Sequence, residues 1–164
     1  MIRITSLLPI ALFAGLSMVA HSAAAQSAPA DAGTAGRALI AKYVQFKNEK
    51  NANQLSEIYA DGYVENSGRN ASGMEALALN WKQQFQAIPD LKVTLEDAVV
   101  EGNKVVARMT YSGTHTVPFF GGIPATGKPF KFGTIDIWRV QEGKLAEHWD
   151  QVDFAGLQRQ LTAK

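Results

Sequence analysis

The sequence predicts an α+β fold, an antiparallel sheet with helices on one face. Three observations carry this. Apolar residues recur at helical spacing through the first half of the chain. The period changes to two after Pro89-Asp90. From there, alternating segments follow one another through turn-forming residues, as consecutive hairpins do.

The elements can be justified in order. From about Ala38, the residues Leu39, Ile40, Tyr43, Val44 and Phe46 fall near helical spacing. A second short helix is predicted from about Asn53 to Ala60, with Leu55, Ile58 and Tyr59 on one side and Asp61-Gly62 ending it. Ser72 with Glu75 reads as a capping box opening a third helix, whose stripe is Leu77, Trp81, Phe85 and Ile88. Leu91, Val93, Leu95, Asp97 and Val99 then share one face of a strand. Gly102-Asn103 turns the chain into a strand whose apolar row is Val105, Ala107, Met109 and Tyr111, and the same parity reaches His115. A Gly/Pro-rich loop from about Val117 to Pro129 follows, and its unusually hydrophobic part, Val117 to Pro124, suggests a lid over a pocket or a dimer contact. Two strands, Phe130 to Val140 and Lys144 to Val152, and a short helix near Phe154 to Leu161 complete the pattern.

Residues 1–25 have a basic start at Arg3, an apolar run from Leu7 to Ala20, and small residues up to Ala25. They read as a secretory signal peptide, which places the mature protein in the periplasm or outside the cell. Residues 26–36 read as a flexible leader and 37–164 as a single domain. No later segment is apolar enough to span a membrane. Without Arg3, basic and acidic residues balance, which argues against nucleic-acid or anionic-membrane partners. The chain has no cysteine and three histidines, one of them within the first 25 residues, so neither disulfides nor a metal site is expected.

The last hairpin holds the candidate chemistry. Read as a three-residue loop, Gln141-Glu142-Gly143 sets Asp136 opposite His148 and Thr134 opposite Asp150. Residues so placed share a face, here with Phe130, Phe132, Trp138 and Val152. A two-residue loop would turn Asp136 to the other face. A carboxylate among aromatic groups is desolvated and becomes a better base, which makes Asp150 the candidate catalytic base. Asp136 could orient His148, and His148 could carry a proton or bind a substrate oxygen. His115, Asn66, Tyr63, Tyr111, Trp81, Phe85, Phe132 and Trp138 are the candidate substrate-binding residues. The opposite face carries Val100, Val106, Ile135, Ile137 and Trp149. Two apolar faces on one sheet both need covering, so a homodimer is expected.

Gly113-Thr114-His115, Pro124-Ala125-Thr126-Gly127-Lys128-Pro129, Ile135-Asp136-Ile137-Trp138-Arg139-Val140 and Glu142 to Asp150 closely resemble the SnoaL-like polyketide cyclases, also known as ester cyclases. Tyr63-Val64-Glu65-Asn66 and Pro89-Asp90-Leu91 are similar to the same family. The resemblance implies the cone-shaped fold of nuclear transport factor 2, a curved sheet wrapping a pocket against helices, commonly dimeric. It implies cofactor-free acid–base chemistry on a small apolar carbonyl compound: aldol-type cyclisation, isomerisation or hydrolysis. The family's pocket aspartate corresponds to Asp150, and where the family has an assisting histidine this chain has Asp136. The alternative is a non-catalytic protein that binds a small ligand in the same cavity. A bare dimerisation module would instead have its cavity filled with side chains.

Overall fold

The computed structural model describes residues 30–118 and 122–163, without the side chains of residues 30–32. The signal peptide expected over residues 1–25 lies outside the described residues, as do Phe119, Phe120 and Gly121 of the hydrophobic connection. The elements are α1 (Ala30–Asn48), a 3-10 turn (Leu55–Glu57), β1 (Tyr59–Glu65), α2 (Met74–Ala87), β2 (Lys92–Glu101), β3 (Lys104–Thr114), β4 (Pro129–Gln141), β5 (Lys144–Val152) and α3 (Phe154–Thr162). They form one curved five-stranded sheet in the order β1-β5-β4-β3-β2, with the helices packed against it. The α+β class follows as expected. Among the described residues, no helix is long and apolar enough to cross a membrane.

The N-terminal half differs from the sequence reading in three places. Helix α1 begins at Ala30, so residues 30–36 are helical where a leader was expected. The predicted second helix shrinks to the 3-10 turn, and Tyr59 onward is strand β1, paired parallel to β5 at the sheet edge. Tyr59 and Tyr63 are buried, and the exposed Asp61 and Gly62 between them fall where the register with β5 shifts. The expected capping box is absent. Gly73 is the N-cap of α2, and Ser72 Oγ instead accepts the Glu65 N–H at 2.9 Å, tying the helix start to β1.

The sheet's inner face carries Val105, Ala107, Met109 and Tyr111 from β3 and Phe130, Phe132, Thr134, Asp136 and Trp138 from β4, all buried. Ile40, Tyr43 and Phe46 of α1 and Leu77 and Trp81 of α2 close over it. On β2 the register shifts between Leu95 and Asp97. This bulge inverts the parity downstream, so Val100 pairs with inward-facing Val105 and packs on the core while Val99 is 62% exposed. Val100 therefore leaves the outer face predicted for it. Gly113 is where β3 meets the end of α2: a Cβ there would lie 2.3 Å from Ile88 Cγ2, so no larger residue fits.

At the C-terminus, the Asp153 side chain accepts the Gly156 N–H at 2.8 Å and caps α3. Leu157 and Leu161 bury its apolar stripe. Gln160 donates to the Lys131 carbonyl and accepts its N–H, both at 2.9 Å. That side-chain amide satisfies β4 beyond the point where β5 stops pairing with it, at Val152.

Candidate active site

The closing hairpin sets the site. Its loop has two residues, with Glu142 at φ 50° and Gly143 at φ 72°, the left-handed pair that a tight hairpin turn demands. Gln141 therefore pairs with Lys144, one residue out of step with the three-residue reading. The register then shifts between Val140 and Arg139: Val140 pairs with Leu145 and Arg139 with Glu147, leaving Ala146 as an extra residue. The bulge restores parity. Trp138 comes opposite His148 and Asp136 opposite Asp150, in place of the expected Asp136–His148 and Thr134–Asp150 pairs. All of them still look inward.

They line a cavity of about 640 Å³ between sheet and helices. It is open, unlike the filled interior of a bare dimerisation module. Its walls are Tyr43 and Lys47 of α1, Tyr59, Tyr63 and Glu65 of β1, Trp81 and Gln84 of α2, Tyr111 of β3, Phe132, Thr134 and Asp136 of β4, and His148, Asp150 and Val152 of β5. Arg69 and Asn70 of the β1–α2 connection complete the rim.

His148 is the hub. Its Nε2 lies 3.0 Å from Asp136 Oδ1, the diagonal neighbour across the hairpin, and its Nδ1 lies 2.9 Å from Glu65 Oε2. The Trp138 ring stacks behind it at 4.9 Å between centroids. Burial disfavours the charged imidazole, but hydrogen bonds to Asp136 and Glu65, and the charges of both, outweigh it and raise the His148 pKa to about 9. At neutral pH His148 is therefore an imidazolium with both N–H groups donated to carboxylates. Glu65 shows the reciprocal effect. Burial would raise its pKa, yet His148, the Tyr63 hydroxyl at 2.7 Å and the Ser67 N–H at 2.9 Å hold it at about 2. The other Asp136 oxygen, Oδ2, accepts the Thr134 hydroxyl. Asp150, with an 11% exposed side chain, takes the Arg69 guanidinium on both oxygens, and Arg69 also packs over the Phe154 ring. Asp136, His148 and Asp150 offer one atom each within 4.8 Å of one another. A metal ion there would have to displace Arg69 from Asp150 and a proton from His148.

The predicted residues divide clearly. Asp136, His148 and Asp150 come together. Tyr63, Tyr111, Trp81 and Phe132 line the cavity. Trp138 sits behind His148 and supports it. Phe85 packs edge-on against Trp81 without lining the cavity. Asn66 does not line it either; its N–H bonds the His148 carbonyl at 2.9 Å and extends the β1–β5 ladder. His115 is wholly buried beyond the end of β3, where its backbone pairs with Gly127 and Lys128 and Nδ1 lies 3.3 Å from Thr126 Oγ1. Burial lowers its pKa, and it lies outside the cavity wall.

Three site residues escape the sequence reading. Glu65 is hidden because the expected second helix takes Tyr59 and Ala60 and leaves Asp61 to Glu65 in the connection. Lys47 continues the Ile40–Tyr43 face of α1, so its place on an apolar stripe was a readable signal. Arg69 lies in the loop Ser67-Gly68-Arg69-Asn70, which has no period to read.

Residues 37–161 match the SnoaL-like polyketide cyclase family, and the chain belongs to it. Among solved structures, TsrD from Streptomyces laurentii is 36% identical, covering 80% of this chain and 97% of that one, with a TM-score of 0.74. IdmH from Streptomyces antibioticus is 26% identical, covering 77% and 97%, with a TM-score of 0.65. A SnoaL-like polyketide cyclase from Agrobacterium tumefaciens is 22% identical, covers 77% and 97%, has a TM-score of 0.69, and supports the fold alone. No curated protein matches the chain. The family's chemistry is of the cyclase or isomerase type, and the fold is that of the nuclear transport factor 2 group.

Proposed function

We propose that this protein is an enzyme that binds a small, largely apolar carbonyl compound and removes a proton from the carbon next to the carbonyl, for aldol-type cyclisation or isomerisation. The observation that carries the reading is the His148 ring held between two carboxylates beside a third, Asp150, on the wall of an aromatic cavity. Asp150 is the base. The His148 imidazolium offsets the charge of Glu65 and Asp136, so the buried carboxylates do not repel the enolate as it forms. Arg69 is partly exposed and can follow the developing oxyanion as Asp150 becomes protonated. Ketosteroid isomerase shows that an aspartate base in an apolar cavity runs such chemistry with side chains alone.

The test is exchange of the α-protons of an aryl ketone with deuterated water, followed by NMR. Asp150→Asn is expected to lower the exchange rate at least about 100-fold while ketone binding stays within about threefold. Unchanged exchange would overturn the assignment. The non-catalytic reading has one observation in its favour, the engagement of both Asp150 oxygens by Arg69. It is favoured if the wild type binds ketone but exchanges nothing.

The proposal extends to location and assembly. The protein is exported after cleavage behind Ala25, and works outside the cytoplasm as a homodimer, without nucleic-acid or membrane partners. The outer sheet face supports the dimer: Ile135 is 49% exposed, and half-buried Val106, Ile137 and Trp149 surround it. Protein recovered from the periplasm should begin at Gln26 and scatter light as a dimer. An intact N-terminus or a monomer would contradict the corresponding part.

A further inference from the structure

Lys47 is the cavity group that this chemistry leaves unused. Its side chain projects from α1, lines the cavity and belongs to a residue only 3% exposed. Nζ donates to Gln84 Oε1 at 2.6 Å and lies 3.9 Å from the centre of the Trp81 ring. The rings of Tyr43 and Phe85 stand at 5.6 and 5.8 Å. Among the described residues, no carboxylate lies within ion-pair distance of it. The ring faces favour a cation. A buried ammonium with one acceptor and no paired carboxylate is still costly to desolvate, whereas a neutral amine is satisfied by one amide oxygen.

We propose that Lys47 is an amine nucleophile that condenses reversibly with the carbonyl group of an aldehyde or ketone in the cavity. This rests on the reading of the cavity as a carbonyl site and adds a covalent step to it. The Nζ lone pair attacks the carbonyl carbon and a C–N bond forms. The oxygen takes up the carbonyl π electrons and a proton from the nitrogen, giving a carbinolamine. The C–O bond then breaks, and the oxygen leaves as water with the second amine proton. An imine remains, with nothing oxidised or reduced. Once protonated, the imine draws electrons from the neighbouring C–H bond more strongly than a ketone does. The carboxylates of the sheet wall face the same cavity and can accept that proton.

The groups around Lys47 suit the step. Asp136 of β4 is the charge it feels, and acts to keep it protonated. Tyr43 on its own helix, Tyr59 of β1 and Tyr111 of β3 also line the cavity, and burial raises all three, so they stay neutral. Helix α2 contributes Trp81, Gln84 and Phe85, none of them titratable. Burial outweighs Asp136 and lowers the Lys47 pKa to about 7, which leaves a large neutral fraction at physiological pH.

Benzaldehyde with sodium cyanoborohydride provides the test, on the mature wild-type protein between about pH 6 and about pH 9. Intact mass is expected to show one rapid benzyl addition, and peptide mapping to place it on Lys47. Its rate should rise with a midpoint near pH 7, while exposed lysines react slowly and keep accelerating toward about pH 10. Lys47→Met should remove the rapid addition. If Lys47→Met does not fold, the wild-type map and pH profile decide alone. A Lys47 peptide left unmodified, or modified no faster than surface lysines, overturns the inference. Acetophenone binding, read by tryptophan fluorescence, separates the two readings. Binding without a Lys47 adduct overturns the covalent step and leaves the carbonyl site standing; neither binding nor adduct overturns both.

Discussion

Replacing His148 by Phe should destabilise the protein by about 3–5 kcal/mol, since it leaves Glu65 and Asp136 buried without their shared counter-charge. Phenylalanine keeps a planar ring against Trp138, so the loss reports charge and hydrogen bonding more than volume. The Glu65 side chain is 5% exposed and the Asp136 side chain 4%, too buried for water to take over the role of the imidazolium. Adding Glu65→Gln in the same background should recover part of the loss, because one stranded charge is removed with its partner. Denaturant unfolding measures both. A loss below about 1 kcal/mol for His148→Phe would mean that the carboxylates do not depend on it.

The second large effect is the pH dependence of stability. His148 has a folded pKa of about 9, above its ordinary value of 6.5. Its contribution is fully present below pH 6.5 and is lost as pH rises through about 9. Glu65 has a folded pKa of about 2, below 4.5, so its contribution is present above pH 4.5 and is lost as pH falls through about 2. Each shift corresponds to something on the order of 3 kcal/mol. The two share the Glu65–His148 contact and do not add. Lys47 works in the opposite sense: its pKa falls from 10.5 to about 7, so stability gains with rising pH across that window. In the wild type these alkaline effects oppose one another. In Lys47→Met the fall above pH 6.5 should stand alone, and adding His148→Phe should flatten it. A Lys47→Met profile already flat from about pH 6.5 to about pH 9 would contradict the paired imidazolium.

The sheet's second half was legible because each strand there combines strict alternation with turn residues at its ends. The inward face of the closing hairpin was also read correctly, but through two errors that cancelled. The loop is one residue shorter than expected, and the extra residue at Ala146 restores the parity. Nothing in Leu145-Ala146-Glu147 marks that bulge, because both Leu145 and Ala146 are apolar and both are buried. The bulge at Leu95–Asp97 misplaces Val100, although the consecutive exposed acids Glu96 and Asp97 break the alternation there. Strand β1 failed differently. Its pairing partner is β5, far along the chain, and no local pattern announces a parallel edge strand that contains Gly62. Losing β1 meant losing Glu65, and with it the second carboxylate that fixes the charge on His148. His115 followed strand parity to a buried position, yet the strand had by then run past the cavity.

Everything at this site turns on His148 being an imidazolium clamped by Asp136 and Glu65 on the cavity wall. NMR titration of its ring signals, assigned by comparison with His148→Phe, measures this directly. Two ring N–H protons at neutral pH and a midpoint near 9 are expected. A midpoint at or below 6.5, with a neutral ring at pH 7, would contradict it.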